Sequence, residues 1–259
     1  MSSEETADAT RTAYEDRAVV AHYAGDTELH DAERLMFERH LRDGMAILDV
    51  GVGAGRTVSY LSQRAGSYVA LDYSAAMIEA CRTRFPGRKF IQADATDLSR
   101  FDAASFDAIV FSFNGIDSIP DVTSRTRCLA ECFRVLRGGG VFIYSVHNAR
   151  FLAFPLRLRG ASVARRAWRC LYSFIASVRN ASRRLPSAAF WRGAGYVIDP
   201  LSHGTLPMYV ANRDHVRREL ERAGFRLLEH VSGRYPDIRG PLSTPWYYYA
   251  AVKGDDSDA

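Results

Sequence analysis

Three glycines and three acidic residues carry the first chemical signal in this chain. The run Ile47-Leu48-Asp49-Val50-Gly51-Val52-Gly53-Ala54-Gly55-Arg56 passes from an apolar strand pattern into glycines at every second position, and then into a helical pattern. Glycine lets a backbone turn this tightly and approach a ligand to contact distance. The helix that follows presents free N–H groups. Asp49 sits just before the turn, where an acidic side chain repels pyrophosphate and attracts an ammonium, directly or through water. Asp72 ends the next strand pattern. A carboxylate about 20 residues past the glycines is placed to accept hydrogen bonds from both hydroxyls of a ribose. Asp94, with Ala95 behind it, ends the third strand pattern and is placed to meet an adenine amino group. The rival reading is a dinucleotide site, which favours GxGxxG and puts pyrophosphate on the helix end. The spacing here is Gly51-x-Gly53-x-Gly55.

The elements that must position these residues follow from apolar periodicity. Leu29, Ala32, Leu35, Met36 and His40 recur near helical spacing over 27–41, and Gly44 stops that helix. Strand patterns run over 45–50, 68–71, 89–92, 106–111 and 141–146, with helical stretches over 56–64, 74–85 and 123–136 between them. Ser74 reads as a helix N-cap, and Gly138-Gly139-Gly140 as the end of the 123–136 helix. Short strands alternating with helices imply βαβ units and a mainly parallel sheet covered on both faces. A helix over 213–224 and two closing strands over 225–231 and 246–252 follow. The expected fold is α/β: a Rossmann-like, doubly wound, seven-stranded, mostly parallel sheet with an antiparallel C-terminal hairpin and an Arg-rich helical insertion after strand five. The expected division is a core over 11–148 and 205–253, an inserted substrate cap over 149–204, and disordered tails over 1–10 and 254–259. In Trp246-Tyr247-Tyr248-Tyr249 the rings are expected to alternate across the last strand, and no chemistry is assigned to them.

The chain has 259 residues, 47% hydrophobic and 25% charged. That composition excludes a disordered or collagen-like protein. Its apolar runs fall far short of the ~18 residues that span a bilayer. Residues 1–10 carry no secretory pattern, so the expected location is cytoplasmic. Cys81, Cys128, Cys132 and Cys170 form no CxxC pair and read as reduced, mostly buried thiols. Cys128 and Cys132 lie four apart on a helix, but no further ligand is near in sequence, so packing is the reading and a metal-independent reaction is expected. The net charge is only +4, yet no acidic residue occurs between Glu131 and Asp199, while arginines recur from Arg134 to Arg192. A stripe of Ala164, Trp168, Leu171, Ile175 and Val178 makes 161–184 an amphipathic helix. Its arginines fit a solvated cap, an anionic acceptor or an anionic lipid surface. The low total charge and the lack of a known module argue against nucleic acid.

With its order of motifs, the chain resembles the class I S-adenosylmethionine-dependent methyltransferases, of a bacterial small-molecule type, over roughly residues 14–148. The residues that carry the resemblance are Leu48–Arg56, Ala70-Leu71-Asp72-Tyr73-Ser74, Gln92-Ala93-Asp94-Ala95, Phe106–Val110 and Arg134–Gly140, with Phe111–Asp117 and Ser145–Asn148. The resemblance implies that S-adenosyl-L-methionine binds, giving S-adenosyl-L-homocysteine as product. Gly51, Gly53 and Gly55 would lie against its methionine part. Asp72 would hold the ribose, Tyr73 or Met77 would flank the adenine, and Asp94-Ala95 would read the adenine edge. Phe111 and Asn114 would line the methyl side, and Tyr14 and Tyr23 would close over the cofactor.

Methyl transfer from a sulfonium is a direct displacement, so positioning and exclusion of water do much of the work. A base helps if the acceptor is a hydroxyl. His147, following strand five at the same sheet edge, is the candidate, and His203 is a second. The alternative for His147 and Asn148 is that they order the strand end. His22, His30, His40, His215 and His230 read as surface residues away from this edge. The expected activity is methyl transfer to oxygen or nitrogen of a small-molecule acceptor, a secondary metabolite or sugar. The alternatives are a peptide, lipid or nucleic acid docked on the basic cap, and a non-catalytic protein that binds the cofactor. Peripheral membrane contact is open, an integral membrane protein is not expected, and the sequence does not give the oligomeric state.

Overall fold

A computed structural model of the chain describes residues 3–153, 171, 193–198, 206–237, 240 and 243–254. In it the short apolar runs become parallel strands: β1 (Ala46–Val50), β2 (Ser67–Asp72), β3 (Lys89–Gln92), β4 (Phe106–Phe111) and β5 (Leu136–His147). The late strands β8 (Phe225–Ser232) and β9 (Trp246–Lys253) add as an antiparallel pair, giving the order β3-β2-β1-β4-β5-β9-β8. Leu48 pairs with Val69 on one side and Ile109 on the other, and Ile109 pairs with Phe142. Strand order reverses between β1 and β4. Crossovers on either side of such a switch point leave to opposite faces and open a crevice at the strands' carboxyl ends.

Alternation along each strand feeds two cores. Leu48, Val50, Ile109, Phe142 and Tyr249 point to one face. There they meet α6 (Val122–Val135) and α8 (Arg213–Arg222) through Cys128, Leu129, Cys132, Val216 and Leu220. Ile47, Val110, Ile143 and Tyr248 point to the other and meet α3 (Asp31–His40) and α4 (Val58–Arg64) through Met36, Phe37 and Leu61. The terminal tyrosines therefore alternate as expected, with Tyr247 and Tyr249 in the first core and Tyr248 in the second. Helix starts follow local chemistry. Ser74 Oγ accepts from Met77 N–H at 3.2 Å to open α5 (Ala75–Arg84), and Asp121 accepts from Ser124 N–H at 2.8 Å to open α6. No helix among the described residues is long and apolar enough to cross a membrane.

Three features differ from the sequence expectation. Residues 3–10, expected as a disordered tail, belong to α1 (Ser3–Glu15), which is followed by α2 (Arg17–Gly25). The inward stripe of α1 is Thr6, Thr10 and Tyr14, with Thr6 and Thr10 buried. A stripe of threonines gives almost no hydropathy signal. Second, Gly138-Gly139-Gly140 lies inside β5 and does not end α6. Instead, Lys253 Nζ donates to the carbonyls of Phe133 and Leu136, both at 2.9 Å, and so satisfies the helix end from across the sheet. Third, β6 (Ala194–Ile198) and β7 (Pro207–Ala211) pair as a separate antiparallel hairpin, so the boundary drawn at 204/205 falls between two partners. The amphipathic helix over 161–184, His203, Cys170 and residues 255–259 lie outside the described residues, Leu171 excepted.

Phe142 is fully buried, stacks on Tyr144 at 4.5 Å between ring centres and meets Phe225 at 5.4 Å. Phe142→Ala is expected to cost about 3–5 kcal/mol of folding stability, measured as a shift of the urea midpoint at unchanged m-value.

Candidate functional site

The crevice at the β1/β4 switch point is built from the glycine turn and from the ends of β1 to β4. Asp72 ties two of its walls together. Its Oδ2 accepts from Gly53 N–H at 2.8 Å and its Oδ1 from Ser74 N–H at 2.9 Å. Burial raises the Asp72 pKa above the ordinary carboxylate range, although the N–H groups of Ser74, Gly53 and Tyr73 pull the other way. Gly51 and Gly53 hold φ of +63° and +56°, a region that strains other residues. At Gly51 a Cβ would stand 2.6 Å from the Phe111 ring, and at Gly115 a Cβ would stand 2.5 Å from the same ring. Bare backbone on both sides is what admits Phe111.

Asp49 forms the floor. It is 1% exposed and accepts from Thr57 Oγ1 at 2.6 Å and from the Tyr68 hydroxyl at 2.7 Å. Burial pushes its pKa up to about 7, outweighing those two hydrogen bonds. The cavity above has a volume of about 410 Å³, within the range of small-molecule sites. Of the residues singled out in the sequence, Tyr14, Tyr23, Asp49, Gly51, Gly53, Asp72, Tyr73, Met77, Asp94, Ala95 and Phe111 all line it. Gly55, Asn114 and His147 do not. Gly55 faces the other way: at φ +92°, its Cβ would stand 2.6 Å from the Phe85 ring, so it packs the turn onto α5.

The cover over this cavity comes from α1 and α2. The Tyr14 hydroxyl is bonded to Ser118 Oγ at 3.2 Å, and the Tyr14 carbonyl accepts from Ser74 Oγ at 3.0 Å. Glu15 accepts from Ala75 N–H at 2.9 Å. The Tyr14 and Tyr23 rings lie 6.0 Å apart, and burial raises both phenol pKa values.

Several wall residues were not visible as such in the sequence. Arg56, at the end of the quoted glycine motif, bonds the Glu33 carboxylate through both Nη atoms, with Nη2 at 2.9 Å from Oε1. The Ser112 hydroxyl donates to the same carboxylate. The guanidinium lies 4.9 Å from the centre of the Phe113 ring, and Nε is 3.7 Å from Asp26. Glu33 is fully buried. Its one sequence signal is an acidic residue inside the apolar stripe between Ala32 and Met36. Phe113 and Asn114 both hold left-handed backbones, φ +52° and +62°. Strained non-glycine residues of this kind concentrate at functional sites. His30, read from sequence as a surface residue, stacks on Phe113 at 5.1 Å with planes 5° apart, because its helix starts against the cavity wall.

His147 stands just behind that wall. Its Nδ1 is 2.8 Å from Asp117 Oδ2, its backbone N–H donates to the same oxygen at 2.7 Å, and its Nε2 lies 3.4 Å from Asn114 Nδ2. Asn114 N–H donates to Ser145 Oγ at 2.7 Å. Asn114 is flanked in sequence by Phe113 and Gly115, which both line the cavity. The imidazole is thus one residue removed from the cavity wall.

Residues 48–144 match the methyltransferase domain family. The demethylmenaquinone methyltransferase of Clavibacter sepedonicus is 39% identical over 100 residues, 38% of this chain and 39% of that protein. The chain thus spans well under half the length of the curated relatives it matches. Among solved structures, an S-adenosylmethionine-dependent methyltransferase from Methanosarcina mazei is similar with a TM-score of 0.62 at 18% identity, covering 88% of this chain and 100% of that one. The 1,6-didemethyltoxoflavin-N1-methyltransferase of Burkholderia thailandensis, solved with S-adenosylhomocysteine, gives 0.53 at 14% identity, covering 95% and 80%. At these identities the likeness shows the fold. The domain match thus covers the stretch from β1 to β5, and the structural likeness shows the fold of S-adenosylmethionine-dependent methyltransferases.

The raised Asp49 pKa has a consequence for folding. Between the unfolded value near 3.8 and the folded value of about 7, the native state holds a proton that the unfolded chain has lost. Asp49 therefore makes stability fall as pH rises through that window. Urea midpoints of the ligand-free protein at pH 5 and pH 8 are expected to differ less in Asp49→Asn than in the wild type. Gly55→Ala is expected to lose about 1–3 kcal/mol of stability through strain and overpacking, read in the same unfolding experiment.

Proposed function

We propose that the cavity binds S-adenosylmethionine and that the protein transfers its methyl group to oxygen or nitrogen of a small-molecule acceptor. The observation that carries this reading is Asp72. Its carboxylate is held by two backbone N–H groups beside the bare Gly51–Gly53 turn, on the rim that also carries Asp49 and Asp94. A buried acidic floor and a cradle of left-handed glycine backbone suit a cationic amino-acid moiety and a nucleoside, and Asp49 disfavours the pyrophosphate of a dinucleotide. When bound, the donor supplies an electrophilic methyl group on a sulfonium.

The chain's own residues bind, orient and exclude water. In this reading Asp49 faces the ammonium end, and Gly51 and Gly53 admit the methionine part. Asp72 accepts from the ribose hydroxyls, Tyr73 and Met77 flank the adenine, and Asp94 and Ala95 meet its edge. Gly55 packs the turn against α5. Tyr14 and Tyr23 close the top and keep water from the reacting atoms, which strengthens every charge interaction inside. Phe111 and Phe113 wall the methyl side, with Asn114 behind them. The names of similar proteins include a demethylmenaquinone methyltransferase and a fatty-acid O-methyltransferase, so their acceptors range from small molecules to lipids.

Calorimetric titration tests the reading. S-adenosylhomocysteine is expected to bind and NAD is not. Asp72→Asn is expected to raise the Kd for S-adenosylhomocysteine at least tenfold, about 1.4 kcal/mol, at a thermal midpoint that shows it folded. NAD binding more tightly than S-adenosylhomocysteine, or neither binding, would overturn the proposal.

A further inference from the structure

A second charged assembly is buried behind the cavity wall. Arg125 on α6 and Asp117, in the 3-10 turn Gly115–Ser118, are both 0% exposed. Arg125 Nη1 lies 3.2 Å from Asp117 Oδ1 and donates to the Ile116 carbonyl at 3.0 Å. Its Nε and Nη2 form a two-point pair with Glu219 on α8, at 2.8 and 3.3 Å. The Tyr209 ring of β7 covers the guanidinium at 4.1 Å. Buried ion clusters are weak sources of stability, and apolar replacements are often as good.

The cluster ends at His147. Asp117 presents Oδ1 to Arg125 and Oδ2 to the imidazole. An ionised carboxylate can only accept, so the hydrogen of the neutral ring sits on Nδ1 and Nε2 keeps its lone pair. The ring remains 20% exposed. The groups facing it are Asp117 from the 3-10 turn, Asn114 from the strained turn after β4, and Trp246, its register partner on β9. Among the described residues Asp117 is the charged group paired with it.

We propose that His147 Nε2 is the proton acceptor in the methyl transfer, that the acceptor atom is a hydroxyl oxygen, and that Asp117, Arg125 and Glu219 are positioning residues. This rests on the reading of the adjacent cavity as the methyl donor's site. A carboxylate acceptor is already ionised, and an amine can bind neutral; neither must lose a proton before it attacks. A hydroxyl must, since its pKa of about 10 or more keeps it protonated at neutral pH. As the hydroxyl oxygen bonds to the methyl carbon, the sulfur–methyl bond breaks and its electron pair stays on sulfur. The hydroxyl proton moves to Nε2, one residue behind the cavity wall, through a bridging water. The resulting imidazolium faces Asp117 and later gives the proton to solvent. Arg125, gripped from the far side by Glu219, keeps Asp117 pointed at Nδ1.

Two measurements on the full chain test this. Nitrogen-15 NMR of the labelled histidines is expected to show His147 as the Nδ1–H tautomer. In Asp117→Asn that tautomer is expected to give way to a mixture of both neutral forms, and Glu219→Gln is expected to move it the same way by less. An Nε2–H tautomer in the wild type, or an Asp117→Asn protein with the tautomer unchanged, would overturn the positioning roles. The second measurement follows radiolabelled methyl transfer to a matched set of phenol, alcohol, aniline and benzoate probes. Methylation is expected at the hydroxyl probes, lowered about 10²–10⁴-fold in His147→Asn, with S-adenosylhomocysteine affinity within twofold of wild type. Aniline or benzoate methylated by His147→Asn at the wild-type rate would overturn the hydroxyl assignment. Loss of S-adenosylhomocysteine binding in the wild type would instead remove the cavity reading, while the NMR result still judges the Asp117–His147 pair.

Discussion

The constraint on which the molecule depends is the reversal of strand order between β1 and β4. Five parallel strands end on one rim, and their crossovers leave toward opposite faces from that point. The gap cannot be filled by either helix layer, so the chain must build its edge from turns. The turn after β1 carries left-handed glycines and the turn after β4 two strained non-glycine residues, and side chains tie both to their neighbours. Asp72 binds the amides of both the first and second turns. Ser145 on β5 holds the amide of Asn114 after β4. The cavity has its shape because these short ties replace the strand pairing that stops at the rim.

Much of this was legible in the residues. Short apolar runs alternating with helical stretches pointed to the strands, the glycine turn and the acids at their ends to a common edge, and Ser74 to a helix start from its own side-chain chemistry. The acids at 49, 72 and 94 and the glycines at 51 and 53 lie on one cavity because strand ends place them there, which is a local property of sequence. What was not legible depended on residues far apart in the chain. The burial of Glu33 requires Arg56 and Ser112, and nothing local distinguishes Glu33 from an exposed helix acid. Arg125 looks like a helix-surface arginine until Asp117 and Glu219 converge on it. The α1 stripe escaped notice because threonine carries little hydropathy, although the spacing is helical. The glycine run at 138–140 misled for a simpler reason: the lysine that satisfies the end of α6 lies more than a hundred residues later.

Two arginine clusters lie on opposite faces of the sheet. Arg56 and Glu33 sit on the α3/α4 face, and Arg125 with Asp117 and Glu219 sits on the α6/α8 face. Between them runs the segment from Ser112 to Asp117, which contributes a hydroxyl to the first cluster and a carboxylate to the second. A turn with two consecutive left-handed non-glycine residues is costly by itself. Charge-assisted hydrogen bonds at both of its ends offset that cost, so the strained turn and the charged interior form one arrangement.

Phe111 lies between Gly51 and Gly115 like a card in a slot. The three positions come from different parts of the rim and behave as one trait. A methyl group at either glycine has nowhere to go while the ring is present, and a smaller residue at 111 leaves a void until one of the glycines gains bulk. Drift at this spot should therefore proceed in compensated steps, with residue 111 shrinking first. Related chains with other acceptors would be expected to carry matched combinations at the three sites, and a library that varies one of them alone would sample mostly dead ends.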